Sequence, residues 1–143
     1  MMINVLIVGS GGREHAFTWK ASQSKHVEKI FVAPGNAGTT LEPKAKNIDI
    51  SATDIDALIY FSKKESIDLV IVGPEDPLVN GITNAFEKVG INCFGPSSAG
   101  AELEGSKDFA KSFMKKHSIP TASYESFTDA DQAKKYIQEN ELP

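Results

Sequence analysis

Residues 5–14 read Val5-Leu6-Ile7-Val8-Gly9-Ser10-Gly11-Gly12-Arg13-Glu14. Four β-formers run into three glycines, and a charged pair follows where a helix should begin. This is the sequence form of a strand that ends in a phosphate-binding turn. Glycine lets the backbone approach an anion closely, and the first N–H groups of the helix, which have no partner within it, point at that anion. Arg13 adds a fixed positive charge and a forked set of donors. His15, at the helix start, stands beside the same site as a further donor behind the first contacts.

Outward from this stretch, apolar runs alternate with helical patterns. Strands are expected at 3–8, 29–33, 47–50, 68–72 and 91–94, and helices at 14–22, 53–66 and 78–89. Thr53, with an acid three residues on, reads as the cap of the second helix. Strands that are apolar throughout and separated by helices predict an α/β fold, a parallel sheet with helices on both faces. Val5, Val8, Val70 and Val72 then belong to the sheet core. Three strands end in glycine-rich polar turns, at 9–12, 34–38 and 73–76. In a parallel sheet those turns share one edge, beyond the carboxyl ends of the strands, where such folds bind ligands.

Each turn has two readings. The first spells Gly9-x-Gly11-x-x-Glu14, whereas the dinucleotide fingerprint has glycine at the last position and an acid near the end of the second strand. Here that strand ends Ala33-Pro34-Gly35. Both departures weigh against a nicotinamide cofactor, while phosphate binding needs only the glycines, the helix start and Arg13. In the second turn, Asn36 can bond a sugar or phosphate, or equally its own backbone, and the second is favoured. In the third, Gly73-Pro74-Glu75-Asp76-Pro77, a carboxylate can accept bonds from paired ribose hydroxyls. Glu75 is assigned mainly to a ligand and Asp76 mainly to capping, with Pro77 at the first helical position.

The rest of the chain is plainer. After Ser97, helical patterns cover 98–104, 107–117 and 129–141, with a short extended piece at 123–127. This block has no long apolar strand and reads as the start of a second domain. His26 and His117 read as surface residues, Cys93 as a small hydrophobe, and no spacing suggests a metal site. Lys107, taken alone, reads as a solvated lysine at a helix start.

Composition excludes several classes. The 143 residues are 41% hydrophobic and 24% charged, which is globular rather than disordered. A net charge of −4 without a basic stripe argues against nucleic acid as a partner. No apolar run approaches the ~20 residues of a membrane span. The start lacks the basic region of a signal peptide, and the single cysteine allows no internal disulfide, so a cytoplasmic, reducing compartment is expected.

Taken together, Gly9-Ser10-Gly11-Gly12-Arg13-Glu14-His15-Ala16, Pro34-Gly35-Asn36-Ala37-Gly38-Thr39, Gly73-Pro74-Glu75-Asp76-Pro77-Leu78, Phe94-Gly95-Pro96 and Ser106-Lys107 resemble the glycinamide ribonucleotide synthetase (phosphoribosylamine–glycine ligase) family. These are ATP-grasp enzymes of purine biosynthesis, and the motifs occur in the family's order across the whole chain. The resemblance implies a Rossmann-like domain over 1–103 that precedes the start of an ATP-grasp domain over 104–143. It implies that Gly9, Ser10, Gly11, Gly12, Arg13, Glu14 and His15 hold the 5′-phosphate of phosphoribosylamine. Glu75, with Asn36 and Asp76, would hold its ribose, and Lys107 would reach the phosphates of ATP, which reverses the plain reading of that lysine. The family joins glycine to phosphoribosylamine through a glycyl phosphate, with ATP and Mg2+ or Mn2+. By this resemblance the chain is an N-terminal fragment, inactive alone, of an enzyme that works as a monomer. Its catalytic groups and metal ligands would lie beyond Pro143. Two other readings stay open: a nicotinamide-dependent Rossmann domain, and a non-catalytic module that binds ribose phosphate.

Overall fold

The computed structural model describes residues 2–140. Five strands form a single parallel sheet: β1 (Ile3–Gly9), β2 (Val27–Pro34), β3 (Ala45–Asn47), β4 (Leu69–Val72) and β5 (Asn92–Phe94). Their spatial order is β3-β2-β1-β4-β5. The chain therefore builds outward from β1 to β3, then returns to the other side of β1 with β4. That reversal, between β1 and β4, is the topological switch point at which such sheets open a crevice.

Helices α1 (Gly12–Ser22), α2 (Ile55–Lys64), α3 (Glu75–Val79), α4 (Ile82–Lys88) and α5 (Ser98–Gly105) accompany the sheet. Because side chains alternate along a strand, β1 feeds two cores. Leu6 and Val8 pack with Leu58 of α2, Ile82 and Phe86 of α4 and Ala101 of α5. Val5 and Ile7 pack on the other face with Val27, Ile30 and Val32, under Phe17 and Ala21 of α1. Leu6, Ile7, Ile30, Leu58, Ile82 and Phe86 are fully buried, and each such side chain contributes about 1.5–3 kcal/mol by leaving water. The valines assigned to the core from the sequence are buried.

Three local details differ from the sequence expectation. The third strand lies at Ala45–Asn47, its pairing with β2 ending at the Val32–Asn47 register, so that Ile48 and Ile50 pack beside the sheet instead of extending it. The helix expected over 78–89 is two helices. It starts earlier, at Glu75 with Pro74 at the cap, and it breaks at Gly81, whose φ of 85° suits glycine and ends the run. Asp76 thus lies in the first turn and does not cap, which corrects its capping assignment. Helix α2 is capped by Asp54, whose Oδ1 accepts from the Ala57 N–H at 3.0 Å, rather than by Thr53.

The chain divides into two compact units, Met1–Gly105 and Ser106–Pro143. The second holds α6 (Lys107–Lys116) and α7 (Ala130–Glu139). Ser106 caps α6 by accepting from the Phe109 N–H, and Asp129 caps α7 by accepting from Asp131 and Gln132. The extended piece expected at 123–127 pairs with no strand among the described residues; it is held to α6 by hydrogen bonds from Ser126 to Asp108 and between Tyr124 and Ser112. The expected last residue of the final helix, Glu141, lies outside the described residues.

Candidate functional site

Parallel strands carry their C-terminal turns to one edge, and hydrogen bonds knit three of those turns together. The Gly35 N–H donates to the Gly9 carbonyl and the Gly73 N–H to the Val8 carbonyl, both at 3.1 Å. The turns after β1, β2 and β4 therefore form one continuous rim around the switch point.

The first turn opens α1. Gly11 is its cap residue, and the N–H groups of Gly12 and Arg13 begin the helix without helical acceptors. Ser10, Gly11, Gly12 and Arg13 are exposed, so this helix start is open to solvent. Glu14 is not. Its side chain turns inward and is 4% exposed. Its Oε2 accepts from the Gly11 N–H at 2.7 Å, and its Oε1 from Arg13 Nε at 3.1 Å. The first contact is half of a capping box; glycine has no side chain to return the other half. Space for the carboxylate exists only because two residues lack Cβ atoms. A methyl group on Gly73 would overlap Glu14 Oε1, and one on Gly9 would come within 2.6 Å of its Cγ.

Arg13 reaches across the switch point. Its Nη2 lies 3.8 Å from Glu75 Oε2 in the β4 turn, with both side chains about half exposed (53% and 54%). A long, solvated pair of this kind contributes at most about 1 kcal/mol. An incoming anion can therefore take the guanidinium at little cost, leaving Glu75 free to accept from a neighbouring hydroxyl. Asp76 is exposed beside Glu75.

Asn36 is engaged on both arms. Its amide nitrogen donates to the Ser10 carbonyl at 2.9 Å and the Gly11 carbonyl at 3.2 Å. Its oxygen accepts from the Gly38 and Thr39 N–H groups at 2.8 and 3.0 Å. Two donors and two lone pairs are the whole capacity of the side chain. As it stands, Asn36 splints the β2 turn to the anion turn.

His15 also faces a protein partner, with Nε2 2.8 Å from Glu42 Oε1. His26 and His117 are exposed. Cys93 is half-buried, and burial pushes its thiol above the ordinary range, which suits an inert side chain. Lys107 is exposed as the first residue of α6, in the second unit. Among the described residues no cluster of three or more His, Cys, Asp or Glu is placed to hold a metal ion.

Two residues of the rim had no sequence signal. Asn47, at the end of β3, donates to the Asn36 carbonyl at 2.8 Å and accepts from Thr39 Oγ1 at 2.7 Å. Thr39 is fully buried. Glu42 anchors His15. Asn47 and Glu42 act through partners 11 and 27 positions away, and local patterns carry no trace of that.

Residues 3–104 match the phosphoribosylglycinamide synthetase N domain and residues 105–143 the ATP-grasp (A) domain of the same synthetase. The chain belongs to the phosphoribosylglycinamide synthetase family. It is 56% identical over 141 residues to the phosphoribosylamine–glycine ligase of Vibrio vulnificus and 53% identical to that of Escherichia coli K12; each alignment covers 99% of this chain and 33% of the relative. The chain thus spans about a third of the length of the curated relatives it matches. The crystal structure of the Thermotoga maritima phosphoribosylamine–glycine ligase superposes with a TM-score of 0.64 at 29% identity, over 96% of this chain and 30% of that one. The biotin carboxylase domain of Hydrogenobacter thermophilus 2-oxoglutarate carboxylase shares the fold, with a TM-score of 0.69 at 19% identity, over 100% of this chain and 34% of that one. Among the described residues no helix is long and apolar enough to cross a membrane.

Proposed function

We propose that this chain supplies the amine-substrate site of a phosphoribosylamine–glycine ligase in purine biosynthesis. The supporting observation is the pairing of Arg13 with Glu75 across the switch point. It sets a cation at an open helix start beside a carboxylate on the facing turn. The N–H groups of Gly12 and Arg13, with the Arg13 guanidinium, hold the 5′-phosphate. Glu75 accepts from the ribose hydroxyls, with Asp76 next to it. Gly9 and Gly11 let the backbone approach. Ser10 and Asn36 shape the rim, and His15 braces it through Glu42.

In this reading residues 1–103 form the substrate domain and 104–143 begin the ATP-grasp domain. Lys107, at the head of α6, offers its ammonium to the nucleotide phosphates. ATP supplies the activation of the glycine carboxylate, and a divalent cation neutralises the phosphates. The part played by the chain's own residues is to hold the phosphate and ribose so that the amine is presented in a fixed orientation.

The test is calorimetric titration of the chain with ribose 5-phosphate. Arg13→Ala should weaken binding roughly tenfold to a hundredfold, the range of a hydrogen-bonded charge, and Glu75→Ala should weaken it less. Unchanged affinity in both variants would rule the site out. A dinucleotide reading predicts enhanced NADH fluorescence on titration. The proposed site predicts none, because Glu14 fills the fingerprint's third glycine position and Ala33-Pro34 replaces its acid.

A further inference from the structure

The side chain of Glu14 is the feature of the anion turn that phosphate binding does not require. At its position the dinucleotide fingerprint keeps a glycine so that helix and strand pack closely, and the glycine two residues into the turn lets the backbone approach a pyrophosphate. Here a carboxylate occupies that interior. It is nearly fully buried, it takes the Gly11 N–H at 2.7 Å, and the absence of side chains at Gly9 and Gly73 makes room for it. The N–H that would meet a second phosphate already has an anion.

We propose that Glu14 is a specificity-determining residue, a built-in anion that makes the turn accept a sugar monophosphate and reject a pyrophosphate-bridged ligand. The inference rests on the ribose-phosphate reading above. Rejection has two parts. The Gly11 N–H is withdrawn from the set of available donors, and a fixed negative charge lies beneath the place a second phosphate would take, an unfavourable element built against the wrong ligand. Acceptance has one part. By binding Arg13 Nε at 3.1 Å, Glu14 holds the guanidinium at the rim, where its Nη groups carry the remaining four N–H donors and Nη2, 3.8 Å from Glu75 Oε2, can exchange that partner for a single phosphate. Glu14 touches no ligand in this scheme; it positions Arg13.

The test compares the affinities of ribose 5-phosphate and ADP-ribose for this chain by calorimetry. The wild-type chain should bind ribose 5-phosphate and strongly disfavour ADP-ribose. Glu14→Gly restores the fingerprint residue and should narrow that preference roughly tenfold or more, as expected when a charged partner is removed. Glu14→Gln keeps the volume, so it carries the test if the glycine variant does not fold. It should weaken ribose 5-phosphate and narrow the preference in the same direction. In an Arg13→Ala background, Glu14→Gln should leave ribose 5-phosphate affinity unchanged, a result that a merely structural role would not give. A folded Glu14→Gln with the wild-type preference, or with an undiminished effect in the Arg13→Ala background, overturns the inference. If the wild-type chain binds no ribose 5-phosphate, the site reading itself fails. If Arg13→Ala weakens binding while the Glu14 variants keep the preference, only the role of Glu14 fails.

Discussion

The two units of this chain use the same helical vocabulary and reach different ends. In the first, Met1–Gly105, α2 and α4 bury Leu58, Ile82 and Phe86 completely against a parallel sheet. In the second, α6 and α7 are amphipathic and capped, yet neither has a buried residue; Phe109, Ile119, Phe127, Tyr136 and Ile137 all remain exposed. An apolar stripe is only a potential for burial, and what realises it is a second layer to pack against. The first unit supplies that layer from its own strands. The described residues of the second contain none.

The sharpest way to break this contrast is to remove one aromatic ring from each unit. Phe86 is fully buried in the core of the first unit, so Phe86→Ala should cost about 3–5 kcal/mol of unfolding free energy. Phe109 is 37% exposed on α6, and Phe109→Ala should cost under about 1 kcal/mol, since little surface returns to water. Urea titrations followed by circular dichroism measure both. Equal costs would show that the second unit owns a core after all.

A smaller effect separates polar contacts that are partly buried from those that are wet. Asn36 satisfies four groups on the rim of the sheet. Its replacement by alanine removes two part-buried bonds, from the Gly38 and Thr39 N–H groups, and two exposed ones, to the Ser10 and Gly11 carbonyls, and should cost about 1 kcal/mol. In the second unit, Lys111 Nζ bonds Thr121 Oγ1 at 2.7 Å and the Ala122 carbonyl at 3.0 Å, both in exposed surroundings. Water replaces those partners, so Lys111→Ala should change stability by less than about 0.5 kcal/mol. Thermal melts that rank the two substitutions in the opposite order would contradict the picture of a wet second unit.

These residues also show what the sequence makes legible. The strands of the first unit stand out because residues such as Val5, Leu6, Ile7 and Val8 are apolar on both faces, a pattern that only a doubly covered sheet requires. Parallel strands then fix where the turns gather, and so the glycines, Arg13 and Glu75 could be placed on one edge before any coordinates. The orientation of Glu14 could not. Its inward turn depends on Gly73, 59 positions away in the chain (73 − 14), and on a register that only the folded sheet sets. Asn47 and Glu42 escaped for the same reason. The split of α3 from α4 was nearer to hand, since Gly81 stands at the break, but glycine inside a helical pattern is often tolerated and does not by itself announce a positive φ.

The finest test uses one chemical device present in both units. Asp54 caps α2 through the Ala57 N–H, and Asp129 caps α7 through the N–H groups of Asp131 and Gln132. Removing either cap costs its helix about 1 kcal/mol. For α2 that loss belongs to the whole first unit, because Leu58 ties the helix to the sheet, so Asp54→Ala should lower the cooperative unfolding transition by about the same 1 kcal/mol. For α7 nothing described ties the helix to a buried layer, and a ten-residue helix is marginal alone. Asp129→Ala should therefore reduce helical ellipticity and speed amide exchange within α7, while the main transition stays where it was. Equal shifts of that transition in the two variants would mean that the units unfold together, and the distinction between them would lose its thermodynamic content.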